Sequence, residues 1–353
     1  MITLILVIIA ISVLILVHEW GHFYSARKLG VKVEEFGFGF PPKLFSRMHS
    51  GVRYSVNLFP FGGFVKIFGE HGEGEGKSES FISRPIWQRF IILVAGVGMN
   101  LVLAWVFFSI GSGFGLPEIS DEKGVPVSIV GISPASPAEH AGLHFGDKLL
   151  EMRAQAVSLR IETEEDVSSF IEAYRGEPIT ILARRGESVQ EFSVTPRITP
   201  PEGEGPLGVA MARLILQKTP WYLAPLEGAR ILGRTVWLTV QGLATLVWQL
   251  IFEMGKGVAV SGPVGIFFFA QDSRALGVSY FFQFLGLLSV NLAVLNFLPI
   301  PALDGGRIFF LLIEKCKGRR LNPHFENVVH TIGFVLLLLL MVLVTYKDIV
   351  KIL

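Results

Sequence analysis

The chain has little charge and a single cysteine. Only 17% of its 353 residues are Asp, Glu, Lys or Arg, whereas soluble domains carry about 25%. It is 51% hydrophobic and has a mean hydropathy of +0.53, so we expect a membrane protein. The lone Cys316 excludes an intramolecular disulfide framework. The net charge of +1, without a basic stripe interleaved with aromatic residues, gives no reason to expect a nucleic-acid partner.

The N-terminus lacks the basic segment and the small-residue cleavage site of a signal peptide, so we interpret it as a retained span. One group of basic residues lies between the first and second apolar runs, in 27–89, another lies between the third and fourth, in 307–320, and none precedes the first. The positive-inside rule therefore places both basic loops in the cytoplasm and both termini outside. Four segments are long and apolar enough to span a membrane: 2–24, 90–116, 275–303 and 328–346.

The first apolar run ends in a His-Glu-x-x-His motif. His18 and His22 are four residues apart, so on a helix they share one face and can bind one metal ion. Glu19 lies beside them, where a carboxylate can take a proton from a metal-activated water. The alternative is two hydrogen-bonded histidines on a core helix. A metal site is the better interpretation because His, Glu and His cluster at the end of a segment that is apolar enough to span a membrane.

A catalytic zinc usually has three protein ligands, and the third is predicted to be Asp304. Residues 275–303 are uncharged, and Pro299 and Pro301 break the helix before Asp304. At about 1.5 Å per residue, His18 and Asp304 both reach the cytoplasmic third of the membrane. An ordinary helix-capping aspartate is the alternative role.

Two neighbouring glutamates are alternative third ligands. A soluble zinc protease of the metzincin type would need histidine at position 28, where Lys28 stands. Glu34 or Glu35 remain possible, although they lie in a stretch with strand-like alternation. Asn296, eight residues before Asp304, either caps freed backbone or hydrogen-bonds a substrate or a developing oxyanion.

Residues 31–45 and 52–68 alternate apolar and polar side chains between glycines, which predicts β-strands or hairpins. They are rich in phenylalanine for a cytoplasmic loop. A small soluble β-cluster is one interpretation. We prefer a sheet that enters the membrane beside the metal, where backbone is tolerated if it lines a wet cavity. Gly62 and Gly63 would then lie near a bound substrate.

Residues 124–197 change in character to short strands and two short helices. With the core S-P-A-x-x-A-G-L-x-x-G-D at 136–147, their order resembles a PDZ domain, a module that binds an extended peptide at a sheet edge. A generic α+β insert is the alternative. A proline- and glycine-rich linker follows at 200–206.

Residues 235–252 are uncharged and long enough to span, with one polar or small stripe. A fifth span here would place Asp304 opposite the histidine motif. We therefore expect an interfacial helix, or part of a pair that does not cross. A helix breaker is expected at 261–265.

Taken together, these motifs resemble the site-2 protease family of intramembrane zinc metalloproteases, and the bacterial regulator of sigma-E protease branch in particular. The resemblance includes GVKVEEFGFGFPPKLF, NLFPFGGFVKIFGE, AGVGMN, SGPVGI and N-x-x-P-x-P-x-L-D-G. It implies zinc ligation by His18, His22 and Asp304, a catalytic base at Glu19, and substrate contact by Asn296. Val97 departs from it, because the family commonly has proline there, and there is room for only one PDZ domain.

The resemblance also implies the substrates and the location. These are pre-trimmed single-pass membrane proteins, such as anti-sigma factors or signal-peptide remnants, cleaved in the bacterial inner membrane. The PDZ domain would be extracytoplasmic and the active site would lie towards the cytoplasm. Membrane lipid is the other expected partner, and zinc the only cofactor.

The predicted fold is a polytopic α-helical membrane protein with about four transmembrane helices, a membrane-associated β-hairpin region and one α+β PDZ domain. Two other functions are weighed: a non-catalytic membrane scaffold, and a zinc protease acting on soluble peptides at the membrane surface. The expected divisions are 1–116 with the first two spans, 121–198 for the PDZ domain, 199–274 for the linker and interfacial helix, and 275–353 with the last two spans.

Overall fold

A computed structural model describes residues 2–120, 122, 124–133, 135–201, 203–252 and 262–352. Its helices are α1 (Ile2–Lys28), α2 (Ile86–Phe114), α3 (Pro137–His140), α4 (Glu164–Ala173), α5 (Ala224–Phe252), α6 (Pro263–Leu276), α7 (Val278–Phe297), α8 (Asp304–Lys317) and α9 (Pro323–Ile352). Its strands are β1 (Val33–His49), β2 (Val52–Ile67), β3 (Leu116–Ile119), β4 (Val127–Ile132), β5 (Lys148–Ala154), β6 (Val157–Arg160), β7 (Ile179–Arg185), β8 (Ser188–Val194) and β9 (Val209–Gln217). One 3-10 turn is formed by Phe81–Ser83.

The chain forms two compact units. The first comprises Met1–Ser109, Pro225–Ala270 and Gln283–Leu353, and the second comprises Ile110–Ala224 and Gln271–Phe282. Within the described residues, four helices are long and apolar enough to cross a membrane, in agreement with the four predicted spans: Thr3–Lys28, Ile86–Phe114, Val278–Phe297 and Pro323–Val350. Helix α5, which contains 235–252, is not among them.

Helix α1 ends at Lys28, just before a glycine turn. Gly30 adopts a left-handed φ of 73°. Its N–H donates to the carbonyl of Arg27, and the N–H of Val31 donates to the carbonyl of Ala26. This pair of bonds is the Schellman motif, which satisfies the last helical carbonyls and turns the chain into β1.

Strands β1 and β2 form an antiparallel sheet. Each strand is bent, so that its two halves occupy different positions in the sheet. Phe36 pairs with both Val65 and Tyr54, and Gly37 pairs with both Phe64 and Ser55. The first half of β1 therefore lies between the two halves of β2, and 63–67 forms one edge. This confirms the predicted strands, although their folded-back register was not foreseen.

The third predicted span differs most from the structure. Instead of one helix over 275–303, α6 ends at Leu276 and α7 begins at Val278, with Gly277 between them at a left-handed φ of 123°. Helix α7 stops at Phe297, because Pro299 and Pro301 follow.

The helix breaker predicted at 261–265 lies partly outside the described residues, at Ser261. The N–H groups of Gly262 and Gly265 donate to the carboxylate of Asp348 in α9. This negative charge therefore lies at the N-terminal end of α6.

Helix α8 is joined to α2 by a buried ion pair. The guanidinium of Arg89 donates to both carboxylate oxygens of Glu314, at 2.9 and 2.5 Å. Ile308 and Leu311 of α8 belong to the same core cluster as Ile92 and Leu93 of α2. These contacts fix the helix that begins at Asp304.

Replacing Arg89 with methionine is expected to lower the free energy of unfolding by about 3–5 kcal/mol, because Glu314 remains buried without a partner. The double variant R89M/E314L removes both charges and should recover most of this loss. Denaturant unfolding in mixed micelles measures both values. A double variant no more stable than R89M would contradict this role of the pair.

In the second unit, the sheet has the strand order β3-β9-β4-β5-β7-β8, with β6 paired to β5. Helix α4 begins at a capping box in which Thr163 and Asp166 bond each other's backbone N–H groups. The strands and helices expected at 127–195 are present to within two residues. The sheet also includes β3 and β9, which lie outside the expected 121–198 division. Residues 121, 123 and 134 of that division lie outside the described residues.

Candidate metal centre

Three side chains meet between α1 and α8 in the first unit. His18 Nε2 lies 3.2 Å from His22 Nε2. Asp304 Oδ2 lies 3.0 Å from the first of these nitrogens and 3.2 Å from the second. Among the described residues, these three form the only group of His, Cys, Asp or Glu with this geometry.

The arrangement fits a tetrahedral metal ion. Ligands about 2.0–2.1 Å from a zinc ion are roughly 3.3 Å apart when the geometry is tetrahedral. All three observed separations lie near that value. Asp304 Oδ2 is buried and makes no hydrogen bond, despite facing two imidazoles, which is unusual for a carboxylate oxygen and typical of an atom that points at a metal.

The Asp304 carboxyl has the charge state that ligation requires. Burial acts to raise its pKa, but the combined effect of His22 and His18 outweighs burial and the pKa lies below its ordinary value. The side chain is therefore ionised at neutral pH and can donate electron pairs to a cation.

The local sequence before and after Asp304 explains how it reaches α1. The prolines at 299 and 301 prevent α7 from continuing, so α8 starts afresh at Asp304. A Cβ on Gly305 would collide with the carbonyls of Phe297 and Leu298. The tight turn therefore requires glycine directly after the aspartate.

Helix α2 forms a wall behind the two histidines. A Cβ on Gly21 would collide with the carbonyl of Ala95, and one on Gly96 would collide with the rings of His22 and His18. The two glycines let the helices approach closely. Helix α2 is continuous through Val97.

Three α2 groups at this wall were not identified from the sequence. The carbonyl of Ile92 lies 2.8 Å from His22 Nδ1, Gly96 lies against the rings, and Asn100 Nδ2 lies 3.3 Å from His18 Nδ1. The only sequence signal was the motif AGVGMN, in which one polar side chain interrupts an apolar helix.

Glu19 lies beside the cluster and is held by the β-sheet. Its Oε2 accepts a hydrogen bond of 3.0 Å from the N–H of Val65 in β2. A Cβ on Gly63 would be in van der Waals contact with the Glu19 side chain and close to Leu16, whereas one on Gly62 would meet the ring of Phe40. The edge 63–67 is thus next to the candidate base.

The remaining sequence candidates divide into one that reaches the cluster and two that do not. Asn296 Nδ2 lies 3.5 Å from His18 Nε2. Glu34 instead pairs with Lys66 at 2.7 Å, and Glu35 pairs with Lys43 at 2.6 Å. Partial burial acts to raise the pKa of Glu35, but Lys43, Ser55 and Arg53 together outweigh burial and the pKa lies below its usual value. These ion pairs disfavour either glutamate as a ligand.

A buried His, His and Asp cluster with an adjacent glutamate, in a chain with four candidate membrane helices, defines the class of membrane-bound metal-dependent hydrolases. Comparison with known proteins agrees. The model of peptidase family M50 matches residues 6–340. The chain belongs to this family, the site-2 proteases, as its motifs indicated, and it is a zinc metalloprotease.

Relatives that align over nearly their whole length support the assignment. A protein of Clostridium perfringens named as a zinc metalloprotease is 35% identical over 350 residues, covering 98% of each chain. One of Synechocystis with a similar name is 34% identical over 348 residues, covering 96% of this chain and 92% of that protein. The zinc metalloprotease RasP of Shouchella clausii is 29% identical, covering 99% of each chain. Such bacterial relatives, with the four apolar helices, indicate an inner-membrane protein.

Proposed function

We propose that this protease cleaves peptide bonds within transmembrane segments of single-pass proteins whose outer domains have already been removed. The observation that carries the proposal is the position of the cluster. His18 and His22 lie on α1 and Asn296 on α7, both long enough to span a membrane, and Asp304 follows within one short turn. A substrate must therefore bring its scissile bond to this depth.

In the proposed mechanism, His18, His22 and Asp304 hold one zinc ion. Zinc, when bound, lowers the pKa of water towards about 7 and polarises a carbonyl group. Glu19 takes a proton from the attacking water and returns it to the leaving amine. Asn296, next to His18, hydrogen-bonds the substrate backbone or the developing oxyanion. The non-catalytic scaffold is not favoured, since the proposed base lies beside the three proposed ligands.

A substrate helix hides its carbonyl groups in its own hydrogen bonds, so it must unwind before attack. We propose that the edge 63–67 of β2 pairs with the unwound segment and compensates for the lost bonds. Support comes from the outer side of this edge, where the N–H of Val65 donates to Glu19 and so brings the edge next to the proposed base. Gly62 and Gly63, at the start of this edge, are proposed to lie near the bound segment.

We further propose that the second unit contains a PDZ domain on the outer face, which admits only trimmed substrates. The order of its strands and α4, and the core at 136–147, support this assignment. The distribution of basic residues supports the orientation, with the active site towards the cytoplasm.

The test uses the full chain in lipid nanodiscs with a model single-pass substrate. Two Ala→Gly changes in its transmembrane helix weaken the helix by about 1 kcal/mol each, so cleavage should rise roughly tenfold or more. Chelation of zinc should abolish cleavage of both the original substrate and its glycine variant. Efficient cleavage of soluble peptides, with none of the embedded segment, would overturn the proposal and favour the surface protease.

A further inference from the structure

Asn100 is a fully buried polar residue in the middle of α2, at 0% exposure. Its side chain makes one hydrogen bond within the described part of the chain, from Nδ2 to His18 Nδ1 at 3.3 Å. Its Oδ1 has no partner. An amide in a membrane helix is costly to bury, so its single contact calls for an explanation.

The two histidines use their ring nitrogens in the same way. In each, Nε2 points into the cluster and Nδ1 points at α2. A neutral imidazole that binds a metal through Nε2 carries its proton on Nδ1, and that proton needs an acceptor. The carbonyl of Ile92 serves His22. The group in the equivalent place for His18 is the Asn100 amide, whose oxygen reaches Nδ1 when the amide is turned by 180°. Amide orientation is assigned from such partners.

Packing alone does not account for the asparagine. Ala104, one turn further along α2, is equally buried and apolar. The hydrogen bond that joins Asn100 to α7 comes from Ser289 to its backbone carbonyl, which any residue at this position would provide. Among the described residues, what the side chain adds is the contact with His18.

We propose that Asn100 is a positioning residue that accepts a hydrogen bond from His18 Nδ1–H, fixing the tautomer and ring orientation in which Nε2 binds zinc. The inference rests on the proposed role of His18 as a ligand. Partners of this kind are typically worth about 10–100-fold in metal affinity or activity.

The test measures zinc affinity of the purified full chain by competition with a chromophoric chelator. N100L keeps the size of the side chain but has no acceptor, so its affinity should fall about 10–100-fold. N100D restores an acceptor, and its affinity should stay within about threefold of wild type, because carboxylates serve the same role in other zinc sites. S289A, which removes a buried bond to the Asn100 backbone, should bind zinc like wild type.

Two further readouts separate positioning from folding. The unfolding temperature measured after removal of zinc should be no lower for N100L than for N100D, and the visible spectrum of the cobalt-substituted protein should change in N100L alone. If N100L binds zinc as tightly as wild type, or if N100D loses as much affinity as N100L, the inference is overturned. H18A separates this failure from failure of the ligand set, because wild type that binds zinc no better than H18A would overturn the proposed function itself.

Discussion

Glu19→Gln is expected to lower cleavage of a membrane-embedded substrate by about 10²–10⁴-fold, the range for loss of a general base. The amide oxygen of glutamine can still accept the hydrogen bond from Val65, so the side chain should keep its place. It cannot take a proton from water. The measurement is single-turnover cleavage in nanodiscs at saturating enzyme, where product release does not limit the rate.

The zinc content of this variant should equal that of wild type, since Glu19 is not in the cluster. E34Q is the matched control: Glu34 pairs with Lys66 in the sheet, and its loss should leave cleavage within about twofold, as for most exposed ion pairs. Equal cleavage by wild type and Glu19→Gln would reject the proposed base.

Asp304→Asn should reduce zinc affinity by more than about 100-fold, beyond the usual effect of losing a supporting partner. Asparagine keeps the shape of the side chain but not its negative charge, and a carboxylate is the ligand that zinc binds at this position. Zinc per chain, measured by elemental analysis after dialysis against a weak chelator, gives the result.

Glu34→Ala and Glu35→Ala are the controls for this experiment, and both should retain a full zinc complement. If Asp304→Asn retained zinc and one of the glutamate variants lost it, that glutamate and not Asp304 would be the third ligand. This result would favour the surface protease. The ion pairs of Glu34 and Glu35 within the β-sheet argue against that result.

The local part of the site could be predicted from the sequence because helical spacing alone determines it. His18 and His22 share a face on any helix, and Pro299 and Pro301 must end α7 before Asp304. The approach of α8 to α1 is a different matter, since it depends on Gly21, Gly96 and the Arg89–Glu314 pair. No local pattern shows which distant residue each of these contacts.

The same distinction explains the elements that the sequence misplaced or missed. Apolar composition predicted the fourth span as 328–346, whereas α9 runs over Pro323–Ile352, because polar residues extend a helix without adding hydropathy. Strand β9 follows a proline-rich segment typical of a linker and pairs with β3 and β4, which are about 80–100 residues distant in sequence. Asn100 was visible as a polar residue in an apolar helix, but its partner on α1 was not.

The most direct test of the account is anomalous scattering at the zinc absorption edge from crystals of the purified wild-type protein. We expect one peak per chain, about 2.0–2.2 Å from His18 Nε2, His22 Nε2 and a carboxylate oxygen of Asp304. A peak bound by other residues, or no peak between α1 and α8 in zinc-replete crystals, would contradict it.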